Sequence, residues 1–131
     1  NSLGVLYARY GLLQKAREAF LKASQLDFAP ALTNVANVAY LQKDYEVAIT
    51  FYEAALKLNP ENMIATIGLA KAKYEIDAYA EADSLYSRVV SADPGLAARY
   101  AYLSSKVDAS TSRASSAAAD RGGATEWDLE P

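Results

Sequence analysis

The sequence contains neither cysteine nor histidine. Their absence removes disulfides, thiolate chemistry, the Ser-His and Cys-His nucleophile arrangements and the usual soft metal ligands. No run of Lys or Arg concentrates positive charge, and 13 basic against 16 acidic residues leave a net charge of −3, so nucleic acid is not an expected partner. The longest uninterrupted apolar stretches are a few residues, against ~20 needed to cross a bilayer, and no membrane insertion is expected. Gly4, Gly11 and Gly68 stand isolated, so a phosphate-cradling loop is missing too. These absences predict no catalytic residues, no metal and no cofactor. The chain opens on Asn1 without a basic segment and apolar core after it, reads as a fragment excised from a longer protein, and leaves localisation open.

What is present is a folding composition, 52% apolar and with ten tyrosines in 131 residues. Its order is periodic. Three Ala-x-x-x-aromatic pairs, Ala16 with Phe20, Ala48 with Tyr52 and Ala82 with Tyr86, are spaced by 32 and 34 residues; Ala23, Ala55 and Val89 follow each aromatic by three, and Pro60 and Pro94 lie 34 apart. Within the middle unit Leu32, Val35, Ala36 and Ala39 share one helical face, as do Ala48, Tyr52, Ala55 and Leu56. Gln42, Lys43 and Asp44 interrupt the pattern, with Asp44 placed to cap the second helix, and Pro60 ends that helix. Ala36 opposite Ala48 and Ala55 lets two antiparallel helices approach closely, with Tyr52 filling the space beyond.

The pattern resembles the tetratricopeptide repeat, W-x2-L-G-x2-Y, then A-x3-F, then P in 34 residues. In the middle unit Leu32, Val35-Ala36, Ala48, Tyr52 and Pro60 take the successive slots, and Ala39 replaces the first Tyr. The first unit supplies Leu3-Gly4, Tyr7, Ala16 and Phe20, with Phe28 where Pro is usual; the third supplies Leu69-Ala70, Ala82, Tyr86 and Pro94. The resemblance covers roughly residues 1–108 and implies an all-α, right-handed superhelical array of three helix hairpins with a C-terminal capping helix and an irregular tail. Its parts are residues 1–28, an N-terminally truncated first unit, 29–62, 63–96, a capping helix over 97–108, and a low-complexity linker with an acidic tail over 109–131. One hairpin cannot bury its own apolar face, so stacking is obligatory.

Carboxylate pairs such as Asp77 with Glu81 and Asp44 with Glu46 fall at helix starts, where the helix dipole favours acidic residues, and read as structural. Tyr7, Tyr52 and Tyr86 fall in packing slots, and Tyr45 and Tyr79 follow the inter-helix turns, whereas Tyr40, Tyr74 and Tyr102 lie off the core stripe. In proteins this chain resembles, the first helices line a concave groove that holds a peptide. Carried over by its offsets, the groove presents Arg9, Thr33, Asn34, Asn37, Tyr40, Ile67, Lys71, Tyr74 and Tyr102. Asn34 and Asn37 are the strongest candidates, because a carboxamide both donates to and accepts from a peptide backbone.

The family's two-Lys, one-Arg, two-Asn clamp for a C-terminal carboxylate is not expected. In one register Asn34 fits but Asn1, Val5, Ile64 and Gly68 take the other places; in the next Asn37 fits while Thr33 and Gly68 replace Lys and Asn. The tail offers a different ligand: Glu126-Trp127-Asp128 is similar to the tryptophan-acidic peptides that some tetratricopeptide domains, such as kinesin light chain, hold in their groove. Arg9 and Lys71 are the expected counter-charges. The implied function is a protein-interaction scaffold, not an enzyme, taking a protein or peptide, its own tail or a neighbouring chain's. The alternative is a structural module that joins protomers as a homo-oligomer, or parent-protein domains, through the N-terminal edge or the tail.

Overall fold

Three residues with left-handed backbone, Gly11 (φ 73°), Lys43 (φ 63°) and Asp77 (φ 64°), recur at the 32- and 34-residue spacings of the alanines and mark the same point of three helix-to-helix turns. At Lys43 the amide of Asp44 donates to Ala39 O at 2.8 Å and that of Lys43 to Tyr40 O at 2.9 Å. At Asp77 the amide of Ala78 donates to Lys73 O at 2.9 Å and that of Asp77 to Tyr74 O at 3.0 Å. This is the Schellman arrangement, which satisfies helix C-terminal carbonyls and reverses the chain. Only at Gly11 does the residue carry no steric cost for that conformation.

The structure, a computed structural model, describes residues 2–9, 11–24, 29–104 and 125–128. The turns separate α1 (Ser2–Arg9) from α2 (Leu13–Ser24), α3 (Ala29–Leu41) from α4 (Tyr45–Leu58), and α5 (Met63–Glu75) from α6 (Tyr79–Ala92); α7 (Pro94–Ala98) and a 3₁₀ turn (Ala101–Leu103) follow. No strand occurs among the described residues. The side chains of Leu6, Tyr7 and Ala23, residue Phe28, and the linker over 109–124 lie outside the described residues.

Each helix packs on the next, and the first helices of the hairpins, α1, α3 and α5, also touch one another in turn. The core is therefore distributed. One cluster joins α3, α4 and α5 around Ala36, Ala48, Tyr52, Ala55 and Leu69; a second joins α5, α6 and α7 to Tyr100, Tyr102 and Leu103; a third joins Val5, Ala16 and Phe20 to Val35 and Val38. The aromatic of the A-x3-F slot sets the closest approach. A Cβ on Gly68 would lie 2.8 Å from the Tyr52 hydroxyl oxygen and overlap the ring, so α5 comes as near as it does only because that position has no side chain.

Three sequence expectations are corrected. Tyr40, Tyr74 and Tyr102 do not lie off the core; each is about 95% buried. The reason is that an inner helix of an array meets neighbours on several sides, and every residue of α5 from Ala65 to Ala72 is buried, so a single-stripe argument fails for it. Tyr40 packs edge-on to Tyr45, and Tyr74 to Tyr79 and Tyr102, at centroid distances of 5.4, 5.0 and 5.1 Å. The expected cap helix over 97–108 is instead the five-residue α7 and the 3₁₀ turn, with residues 105–108 outside those described. A regular helix turns about 100° per residue and would put Tyr100 and Tyr102 on opposed faces; the break at Arg99–Tyr100 buries both, with Leu103. Asp44 occupies the N-cap position of α4, but its side chain makes no capping bond, whereas Asn62 caps α5 by accepting from Ala65 N at 3.1 Å.

The backbone and packing observations predict opposite effects at two sites. Gly68→Ala is expected to destabilise the fold by about 1–3 kcal/mol through overpacking against Tyr52. Lys43→Gly is expected to stabilise it by about 0.5–1 kcal/mol, because relief of a left-handed Lys outweighs the added freedom of the unfolded chain. Urea unfolding of both variants, followed by far-ultraviolet circular dichroism, checks the pair.

Candidate functional site

Asn34 and Asn37 lie one helical turn apart on α3, and both carboxamides face the segment Thr125–Asp128. Asn34 Nδ2 donates to Asp128 O at 2.7 Å while Asp128 N donates to Asn34 Oδ1 at 2.8 Å, so one side chain satisfies both backbone groups of one residue. A neighbouring β-strand would do the same. Asn37 Nδ2 donates to Glu126 O at 2.7 Å, and Asn37 Oδ1 accepts from the Tyr52 hydroxyl, which fixes the amide's orientation. The packing aromatic of the middle hairpin thus also positions a carboxamide that meets the segment.

The three side chains of the segment meet different parts of the array. Glu126 Oε1 accepts from Arg99 Nη1 at 2.7 Å and from the Tyr100 hydroxyl at 3.2 Å. Trp127 stacks on Phe20 of α2, with centroids 5.9 Å apart and planes 26° from parallel, at the edge of the cluster containing Val35 and Val38. Asp128 is buried, and its Oδ2 accepts from Asn62 Nδ2 at 3.2 Å. Asn62 divides its amide, the oxygen capping α5 and the nitrogen facing the segment.

Magnitudes rank these contacts. A satisfied hydrogen bond contributes about 1 kcal/mol net, but a buried partner left unpaired costs about 1–3 kcal/mol, which puts Asn34 and Asn37 first. Aromatic stacking adds about 0.5–1.5 kcal/mol. The Arg99–Glu126 pair, with Arg99 largely exposed, belongs with solvent-screened surface pairs and ranks last. The hydrogen bond to Glu126, and then its charge, raise the Arg99 guanidinium above its ordinary pKa; burial, then the charge of Glu126, push the Tyr100 hydroxyl well up and keep it a donor.

The remaining residues picked out from the sequence are placed differently. Thr33 is buried on α3 and Ile67 is core on α5. Tyr40, Tyr74 and Tyr102 pack as described above, and the Tyr40 hydroxyl donates to Glu75 Oε1 at 3.4 Å. Lys71 is buried, its Nζ 4.6 Å from the Tyr40 ring centroid and 5.2 Å from that of Tyr100. Arg9 is exposed in the last turn of α1, and the cation on Glu126 is Arg99. Phe20, Asn62, Arg99 and Tyr100 escaped the sequence reading. The offset rule ran along a continuous cap helix to Tyr102, and the break after α7 turns Arg99 and Tyr100 toward the segment instead. Of the expected acidic pairs, Asp77 and Glu81 are engaged within the fold: Glu81 bridges to Lys73 at 2.8 Å, and Asp77 accepts from the Tyr79 hydroxyl at 2.7 Å.

A profile described as tetratricopeptide repeat matches residues 39–107, more than half of the sequence. The chain belongs to the tetratricopeptide-repeat family. Repeats of this family typically serve as non-enzymatic protein-interaction scaffolds, and the array is a scaffold of that general kind. Among solved structures, the crystal structure of MamA protein is similar with a TM-score of 0.69 and 22% identity, over 99% of this chain and 76% of that one. A likeness at that identity speaks for the fold alone. A search of curated proteins gives no match. No helix among the described residues is long and apolar enough to cross a membrane.

The unequal weight of these contacts is measurable in the free chain. Asn37→Ala, which also strips the Tyr52 hydroxyl of its acceptor, is expected to lower stability by about 1–3 kcal/mol. Arg99→Ala is expected to leave the unfolding midpoint close to that of the parent, because solvent screens the pair. Parallel urea titrations of the two variants against the parent check the ranking.

Proposed function

We propose that this chain is an interaction scaffold that holds an extended peptide against the first helices, with the α3 carboxamides as its backbone anchors. The observation that carries the reading is the paired bond between Asn34 and both backbone groups of Asp128. A site built to pack only its own hairpins has no use for two carboxamides aimed at a segment some ninety positions away in sequence. Backbone pairing gives affinity without demanding a sequence, as in strand addition to a sheet edge, while flanking side chains supply selectivity. Fold and family favour this reading, since the first helices of stacked hairpins form a continuous inner surface that spans several repeats.

The test uses the full-length chain with Trp127→Ala and Asp128→Ala, so that its own segment competes less. A library of synthetic decapeptides is screened against it by fluorescence anisotropy, and hits are remeasured after adding Asn34→Ala. Binding that weakens about tenfold or more on loss of Asn34 is expected, in line with the removal of paired buried bonds. Hits indifferent to Asn34 would move the binding surface elsewhere on the molecule.

A further inference from the structure

The bonds from Asn34 to Asp128 and from Asn37 to Glu126 go to the backbone of the segment, and contacts of that kind hold a residue without reading its side chain. Selection must come from what the side chains meet. Glu126, Trp127 and Asp128 are consecutive, and each faces a different counterpart from a different part of the chain. The Glu126 carboxylate takes two donors, Arg99 and Tyr100, from the segment after α7. The Trp127 ring lies on Phe20, from the first hairpin, at the edge of an aliphatic cluster. The Asp128 carboxylate takes the amide of Asn62, from the start of α5, and is itself 5% exposed. A residue without a side-chain acceptor in the first position would leave both donors unmet, and a neutral amide would keep an acceptor but lose the charge. A small residue in the second would bare Phe20, and a basic residue in the third would bring a buried cation to a site built from donors.

We infer that the site selects an extended acidic-aromatic-acidic peptide of the Glu-Trp-Asp kind, and that the chain's own residues 125–128 are a tethered competitor which a partner segment of the same chemistry must displace. The inference rests on the groove reading above and adds the ligand class and its regulation. Tethering gives the competition its strength. Residues 105–124 separate the last described turn from the segment, and a linker of that order holds a ligand at an effective concentration of about millimolar. A free segment of equal intrinsic affinity then meets a site already filled. It gains access when its local concentration rises, when it contacts more of the array, or when the resident segment is drawn away.

The experiment uses a labelled decapeptide with the sequence of residues 122–131, GGATEWDLEP, and the full-length chain in two forms, the parent and one carrying Glu126→Ala, Trp127→Ala and Asp128→Ala. The triple variant is expected to bind the peptide at least about tenfold more tightly than the parent, because the tethered competitor is gone. On that variant, Trp127→Ala in the peptide is expected to weaken binding by about tenfold or more, as for a buried aromatic anchor. Glu126→Gln in the peptide is expected to weaken binding several-fold, and to have no further effect once Arg99→Ala is present in the receptor. A second measurement uses the unaltered chain, in which Trp127 is the sole tryptophan. Adding the peptide with Trp127→Phe is expected to shift the chain's tryptophan emission to the red as Trp127 leaves Phe20. Equal affinity of parent and triple variant, together with unmoved emission, would overturn the competitor. Variant peptides binding as well as the original would overturn the selectivity. If unrelated peptides bind the triple variant equally well and only when Asn34 is present, the groove reading survives and this inference falls. If no peptide binds in an Asn34-dependent way, both fall.

Discussion

The placement of Tyr52 between α3 and α5 is the constraint on which the middle of the array depends. Its ring needs the missing side chain of Gly68 on one side, and its hydroxyl donates to Asn37 on the other. One residue therefore sets the separation of two inner helices and the orientation of an anchor amide. Packing of the hairpins and contact with the segment 125–128 are not carried by separate sets of residues here. In the neighbouring hairpin Phe20 does something comparable, packing with Val5 and Val35 while giving Trp127 a face to lie on.

The architecture was largely legible in the sequence because its signals are local and repeated. The small and aromatic residues, the breaks at Lys43 and Pro60, and the closely packed alanines each act within one hairpin, and the 32- and 34-residue spacing repeats the pattern from one hairpin to the next. Asn34 and Asn37 stood out for a different reason, the ability of a carboxamide to donate to and accept from a backbone, and Asn34 does both with Asp128. What was not legible depends on more than one hairpin at a time. Burial of Tyr40 and Tyr74 follows from neighbours on several sides, which no stripe within one helix encodes. Arg99 and Tyr100 depend on a helix that stops after Ala98 because three large side chains beyond it cannot share a face. Asn62 reads as a boundary residue until its second function, donating to Asp128, becomes visible in three dimensions.

The division of labour at Asn62 also limits how the site can vary. Its oxygen begins α5 and its nitrogen meets Asp128. An Asp there keeps the cap and repels the Asp128 carboxylate, while an apolar residue loses both functions. Asn37 is bound in the same way to Tyr52. By contrast, Arg99 sits at the rim in an exposed pair, where substitution leaves the fold nearly untouched.

Helical arrays of this kind behave mechanically like springs, because each unit is held only by its neighbours and small rotations accumulate along the stack. The segment 125–128 breaks that rule. Four residues, at most about 13 Å of chain, make contact with Phe20 in the first hairpin, with α3 in the second, with Asn62 at the start of the third and with Arg99 beyond it. It is a strut laid across the coils. A tie of that kind resists bending of a stack held only by neighbour contacts, so loss of the segment's contacts would let the hairpins flex more freely against one another.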